Sequence, residues 1–564
     1  MSDPGAAPRR TLRRRTLPNV LSMHTARVRS RRDLLLGVAR ALLLTVLAAL
    51  AAAPFAVAWG VGHASIQDYL GPHQVGFTSN YSGEVQIDLG PIGNAYLPSP
   101  AAPVGAQITV GSVGTAAETL GSLFSARTLS AYTSLYSDPD EAIGAIVDRL
   151  AQDAVVESAK AEVVLLLAFA FWGLRRQLLA PWVASRLTRR RTAAVYGTVV
   201  CLVIGSILVP QQPTGLRIPV SSAVSQRLGD LKVDSVVLAD QLDRGIKGVT
   251  LLSDRQQRAV AGYVTSATGN LSLQLDRRPQ PGPGETMIMG FSDLHCNQAT
   301  TELITRLERV TLPSVVLSSG DDTVNGTAVE RSCIRREAAI PSGPPLVVAS
   351  GNHDSNVTEE QMRAYGMTVL DGSVVSVADL SVLGDDDPEH NIPFSVERDT
   401  DRPETEEQLG RRMVDAARVR LTDVILVHQP AASVVIMTTP DPPADLVLWG
   451  HFHSAAGPTV IQHEDGAWTV GMQQGTAGGV KQPTITSFST PFSPPLISAD
   501  VYFYFRNDAT GLITGVQPVH FLPDASVVID DRIATGDLGR LPETTRARLS
   551  GTDATPSASP EPSR

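Results

Sequence analysis

Five short apolar runs in this chain each end on residue types that ligate metals. They read MIMGFSDLH, SVVLSSGD, PLVVASGNHD, DVILVHQP and DLVLWGHFH. Each apolar stretch is about four to six residues, too short for a helix but right for a strand buried on both faces. Parallel strands bring their carboxyl ends to one edge of a sheet, where open α/β folds bind ligands. Asp, His and Asn are oxygen and nitrogen donors for divalent ions. The pattern predicts a cluster of metal ligands at one sheet edge, drawn from Asp293, His295, Asp321, Asn352, His353, Asp354, His428, His451 and His453.

Charge is distributed unevenly around these runs. The 564 residues carry a net −10. Residues 1–40 hold +8 and residues 175–191 hold +6, which leaves −24 on the rest. A remainder so acidic argues against nucleic acid as a partner, because phosphate backbones need a basic surface. Lysine is scarce (Lys160, Lys232, Lys247 and Lys481) while Arg and Ala abound, a composition typical of a GC-rich bacterial genome.

The arginines also frame apolar segments. Ala41–Val61 has no charged residue and is long enough to cross a hydrocarbon core. A signal peptide is the rival reading, but the basic leader is long and the run exceeds an ordinary h-region. Val163–Leu174 and Thr192–Val209 flank the second Arg-rich segment and read as a membrane hairpin. Val163–Leu174 also fits a buried helix of a soluble domain. By the positive-inside rule, both Arg-rich segments are cytoplasmic. The expectation is therefore a multi-pass membrane protein with helices at 41–61, 161–178 and 192–210, a basic tail at 1–40 and a basic loop at 179–191. Residues 62–160 and 211–564, which include the motif-bearing domain, are then outside the cytoplasm.

Residues 62–160 open with strand signals such as Glu84–Asp88 and turn helical from about Asp140. Together with 211–284 they read as a small membrane-proximal unit. From about Glu285 the alternation of short strands and polar helical stretches is α/β in character. Val501–Phe505 and Leu512–Phe521 around Asn507–Gly511 read as a hairpin. Residues 541–564, rich in Thr, Ser, Pro and Ala, read as a disordered tail.

The ordered series Asp-x-His, Gly-Asp, Gly-Asn-His-Asp, His, Gly-His-x-His resembles the calcineurin-like metallophosphoesterase superfamily over residues 285–525. Singly, His428 is an ordinary histidine, Asp293 and Asp321 are candidate helix N-caps, and Asn352 is a candidate turn residue. It is the five in order, each at a strand end, that carry the resemblance. The resemblance implies a four-layer αββα sandwich holding two divalent ions, Mn, Fe or Zn. It implies that Asp293, His295 and His453 bind the first ion, that Asn352, His428 and His451 bind the second, and that Asp321 bridges both. His353 is then beside the substrate as a catalytic group, with Asp354 orienting its ring. The implied activity is hydrolysis of phosphate mono- or diesters by metal-bound hydroxide. The alternative is a non-catalytic metal-binding or scaffold module on the same fold.

Three further details bear on the site. Purple acid phosphatases, a branch of the superfamily, place a Tyr ligand where this chain has Val324, so a tyrosinate-bound ferric ion is not expected. Asp385–Asn391 is an acidic, Pro-broken loop that either overhangs the site or is a solvated turn. Cys296 and Cys333 follow the first and second motifs. Outside the cytoplasm, adjacent strand ends predict a disulfide between them.

Overall fold

The structure is a computed structural model of the chain. It describes residues 31–70, 73–88, 93–99, 101–110, 139–178, 197–198, 217–220, 230–392, 395–398, 403–420, 422–479 and 497–550. Helix α1 (Arg31–His63) begins in the basic leader and runs through the uncharged segment. Helix α2 (Pro139–Leu178) packs along it. Gly60 is what permits the approach, since a Cβ there would meet Ser158 and the carbonyl of Ala154.

The expected multi-pass topology needs correction. Among the described residues, Leu42–His63 is the one helical segment long and apolar enough to cross a membrane. The uncharged run in α2 is only twelve residues, Val163–Leu174. That is about 18 Å of helix against a hydrocarbon core of about 30 Å. Lys160, Glu162, Arg175 and Arg176 bound it on both sides. The expected third span, 192–210, lies outside the described residues apart from 197–198.

Between and after these helices the chain forms a seven-stranded sheet. Its order is Ser65–Leu70, His73–Asn80, Gly105–Val110, Glu84–Asp88, Asn94–Pro98, Lys232–Val233, Ile218–Pro219. Tyr96 pairs with Lys232, so the segments before and after α2 share one sheet. Helix α3 (Val236–Ser272) follows, with the Ser235 side chain accepting from the Leu238 N–H as its N-cap.

The motif-bearing part is a sandwich of two sheets with helices outside. In the first sheet, Glu285–Phe291, Val315–Ser318, Leu346–Val348 and Thr368–Val369 are parallel neighbours. Ala499–Asn507, Ile513–Phe521 and Val527–Ile529 extend it antiparallel. In the second, Leu380–Gly384, Val424–Leu426, Leu446–Trp449 and Trp468–Gln473 are parallel. Ile288, Leu317, Val382, Leu426 and Leu448 pack between the sheets. Leu303 and Ile304 from helix α4 (Gln298–Thr311), Ile334 from α5 (Arg331–Ala338) and Met362 from α6 (Asn356–Ala364) cover the outer face of the first sheet. Met413 and Ile436 cover the second from α7 (Glu406–Val419) and α8 (Pro430–Met437). Strands buried on both faces explain the continuous apolar runs in the sequence.

The predicted hairpin is present, closed by Gly511 in the left-handed region and by the Thr510 N–H donating to Asn507 Oδ1 at 3.0 Å. Beyond it, Glu543–Leu549 is helical (α9) in a stretch read from sequence as tail, and the Thr545 hydroxyl donates to the Asp465 carbonyl at 2.5 Å. Residues 551–564 lie outside the described residues.

Candidate metal centre

Each predicted ligand sits just past the carboxyl end of a parallel strand, and the two sheets present those ends on one side. Asp293 and His295 follow Glu285–Phe291, Asp321 follows Val315–Ser318, and Asn352 follows Leu346–Val348. His428 follows Val424–Leu426, while His451 and His453 follow Leu446–Trp449. Asp293, His295, Asp321, His451 and His453 all have positive φ, between 44° and 74°. Such conformations cost about 1–3 kcal/mol each and persist where the surroundings enforce them, typically at functional sites. The turns need glycine as well: a Cβ on Gly351 would meet Asp321 and the ring of His428.

The ligand atoms form two groups that share one residue. Asp293, His295, Asp321 and His453 make one, and Asp321, His428 and His451 the other, all ligand atoms of a group lying within 4.8 Å of one another. Asp321 Oδ2 is 3.7 Å from His295 Nε2 and 3.2 Å from His428 Nε2. His453 Nε2 is 3.0 Å from His295 Nε2 and 3.3 Å from Asp293 Oδ1. Asn352 Oδ1 lies 3.2 Å from His451 Nδ1 and so joins the second group. The two groups form a binuclear site for two divalent ions.

The residues fit those ions on two counts. Asp293 Oδ1 and His428 Nε2 are buried without a hydrogen-bond partner, a costly state that a cation relieves. The far sides of the rings are fixed: His295 Nδ1 faces the Thr323 carbonyl at 3.1 Å and His428 Nδ1 the Ser319 carbonyl at 2.8 Å. A carbonyl only accepts, so each Nδ1 carries a proton and, in the neutral ring, each Nε2 presents its lone pair. Burial opposes the charged form of His428, yet Asp321 raises its pKa well above the usual value. Burial lowers the pKa of His295 and of His451, favouring the neutral, ligating form. Burial opposes ionisation of Asp321, yet His428 and His353 hold its carboxyl well below the usual range.

His353 stands beside this centre, its Nε2 4.0 Å from Asp321 Oδ2. Its backbone N–H donates to Asp321 Oδ1 at 2.8 Å, and its Nδ1 lies 2.7 Å from the Val324 carbonyl. Asp354, expected to orient that ring, instead accepts from the N–H groups of Gly351 (2.9 Å) and Thr323 (2.9 Å) and from the Thr323 hydroxyl (2.8 Å). Its carboxylate ties the second-motif loop to the third, and the carbonyl of Val324 holds the ring.

The acidic loop also lies against the site. The Asp387 N–H donates to the Ser350 carbonyl at 3.1 Å, and the Asn391 N–H to the Asn352 carbonyl at 2.5 Å. Burial pushes the Asp387 carboxyl up to about 7, against the pull of His428. Of the two sequence readings, the solvated turn is set aside. Cys296 and Cys333 form the expected disulfide, with Cα atoms 5.1 Å apart. Sequence reasoning missed the carbonyls of Ser319, Thr323 and Val324. A backbone oxygen leaves no residue-type signal.

Residues 286–455 match the family model described as calcineurin-like phosphoesterase. That stretch of the chain is similar to calcineurin-like phosphoesterases, and the two-sheet sandwich is in keeping with such a domain. No curated protein matches the chain. Among solved structures, NAD nucleotidase from Haemophilus influenzae is 11% identical over 48% of this chain and 55% of its own, with a TM-score of 0.27. A metallophosphoesterase from Sphaerobacter thermophilus is 14% identical over 47% and 98%, with a TM-score of 0.20. A phosphatase from Mycoplasma pneumoniae is 11% identical over 44% and 95%, with a TM-score of 0.28. This chain thus spans about half the length of the first of them. Likenesses this distant carry no functional weight.

Proposed function

We propose that the protein is a metal-dependent phosphoric ester hydrolase acting on phosphate mono- or diesters. The observation that carries this reading is the sharing of Asp321 between the two ligand groups. Two cations held close together would repel unless an anionic ligand sat between them, and Asp321 would supply that charge. Asp293, His295 and His453 complete the first position; Asn352, His428 and His451 complete the second. When bound, the ions supply Lewis acidity and lower the pKa of a coordinated water. The chain's own contribution to the reaction is His353. The Val324 carbonyl accepts from Nδ1, and in the doubly protonated ring the Nε2–H would donate to a phosphate oxygen or protonate the leaving oxygen. The acidic loop 385–391 forms one wall beside the second position.

The reading includes attachment to a membrane by α1. Ten arginines within residues 1–40 favour the cytoplasmic side for that end.

The test is turnover of mono- and diester panels by the purified full chain, reconstituted separately with Mn, Fe and Zn. Metal-dependent cleavage of at least one ester is expected. Two bound metals with no cleavage of any ester across the panel would favour a binding or scaffold role.

A further inference from the structure

The N-terminal part of the chain grips the segment that anchors the site. Asp68 is buried, and its Oδ2 accepts from the Ala328 N–H at 3.2 Å and from Arg149 Nη1 at 2.8 Å. Val329 packs into an apolar cluster with Val75, Phe77 and Ile146. Two more ion pairs continue along α5, Arg331 with Asp148 at 2.7 Å and Arg335 with Glu141 at 2.7 Å. The sheet strand that carries Asp68 and the helix α2 therefore converge on residues 328–335.

The same residues hold the second-motif loop. Ala328–Glu330 is a 3-10 turn. The buried Glu330 carboxylate accepts from the N–H groups of Val324 (2.7 Å), Asn325 (3.3 Å) and Thr327 (2.8 Å). Val324 in turn presents its carbonyl to His353 Nδ1. Three residues further on, Cys333 is bonded to Cys296, the neighbour of His295.

We infer that Asp68 is a positioning residue for His353, acting through the Ala328–Glu330 turn and the Val324 carbonyl. The physical reason is local. The first N–H of a helical turn has no acceptor within the turn, and Asp68 supplies one from 260 residues away. Without it, a buried N–H is left unsatisfied and the turn must shift to find a partner. The Glu330 side chain moves with that turn, and Val324 moves with Glu330. The N-terminal unit thereby completes the site as well as carrying it. The catalytic part of this inference rests on the phosphoesterase reading above; the structural part does not.

The test uses the full metal-loaded chain in lipid nanodiscs and three variants, Asp68→Ala, Asp68→Asn and Asp148→Asn. Deuterium exchange is read over residues 322–330, with α4 as internal reference, beside metal content and kinetics on an ester that the wild type cleaves. Asp68→Ala is expected to raise exchange in that window and to lower kcat by roughly tenfold, with KM within about twofold and metal content unchanged. Asp68→Asn keeps an oxygen for the Ala328 N–H and should restore most of both. Unchanged exchange in 322–330, or an Asn variant no better than Ala, overturns the inference. Should Asp68→Ala fail to fold, Asp148→Asn decides: it weakens the docking at Arg331 from the surface and must raise exchange in the same window, and no rise overturns the proposal. If the wild type cleaves no ester, the functional reading falls while the exchange measurement still decides the coupling.

Discussion

His353 Nδ1 lies 2.7 Å from the backbone carbonyl of Val324, while the carboxylate of the adjacent Asp354 binds the N–H groups of Gly351 and Thr323. The His353 ring is thus oriented by the second-motif loop, and the acid beside it holds that loop to the third motif. This division of labour separates residues whose loss stops chemistry from residues whose loss loosens the fold.

His353→Ala should leave every metal ligand in place. Metal content by elemental analysis should match wild type, while kcat falls about 10²–10⁴-fold, the size of a general-acid or oxyanion contribution. Full activity in the variant would remove His353 from the mechanism.

Asp321→Asn removes the shared anionic charge between the two metal positions. Occupancy of both should fall, read by elemental analysis and by the metal concentration needed for half-maximal activity. Two tightly held ions in the variant would show that Asp321 is not the bridge.

Asp354→Ala should act on stability. Four donors, the N–H groups of Gly351, Asp322 and Thr323 and the Thr323 hydroxyl, lose a buried carboxylate, and hydrogen bonds to charged groups are worth about 1.5–3 kcal/mol each. A loss of at least roughly 3 kcal/mol in denaturant unfolding is expected. A stable variant with low kcat would restore the ring-orienting role read from the sequence.

Cys333→Ser opens a disulfide that spans 37 positions of sequence. A loss of about 2–4 kcal/mol is expected. Alkylation of both cysteines in the unfolded, unreduced protein would contradict the bond.

Glu337 is fully buried, and burial together with Asp322 and Asp354 raises its carboxyl well above the ordinary 4.5. A carboxyl raised in the folded state binds its proton more tightly there than when unfolded. Stability is therefore lost as pH rises above about 4.5 towards the folded value. Glu337→Gln mimics the protonated form, so its stability relative to wild type should climb over that interval. Parallel stability curves for the two proteins from pH 4 upward, about the ordinary carboxyl range, would rule the effect out.

What the sequence by itself determined is the α/β sandwich and the gathering of its Asp and His residues at one edge. Runs such as VVLS and LVLW are too short for a helix and right for buried strands, and parallel strands deliver Asp321 and His451 to the same edge whatever lies between them. The hairpin around Asn507–Gly511 was legible for a similar reason, because turn chemistry is local. Charge counting misled at α2: arginines beside an apolar run predict a membrane hairpin, but twelve uncharged residues give too little length to span. Only tertiary structure decided which acid or carbonyl faces each ring, that loop 385–391 lies against the third motif, and that Asp68 caps a turn at Ala328. These depend on backbone groups and on contacts between distant segments. A backbone carbonyl has no residue-type signature, and a pairing across 260 residues leaves no local period in the sequence.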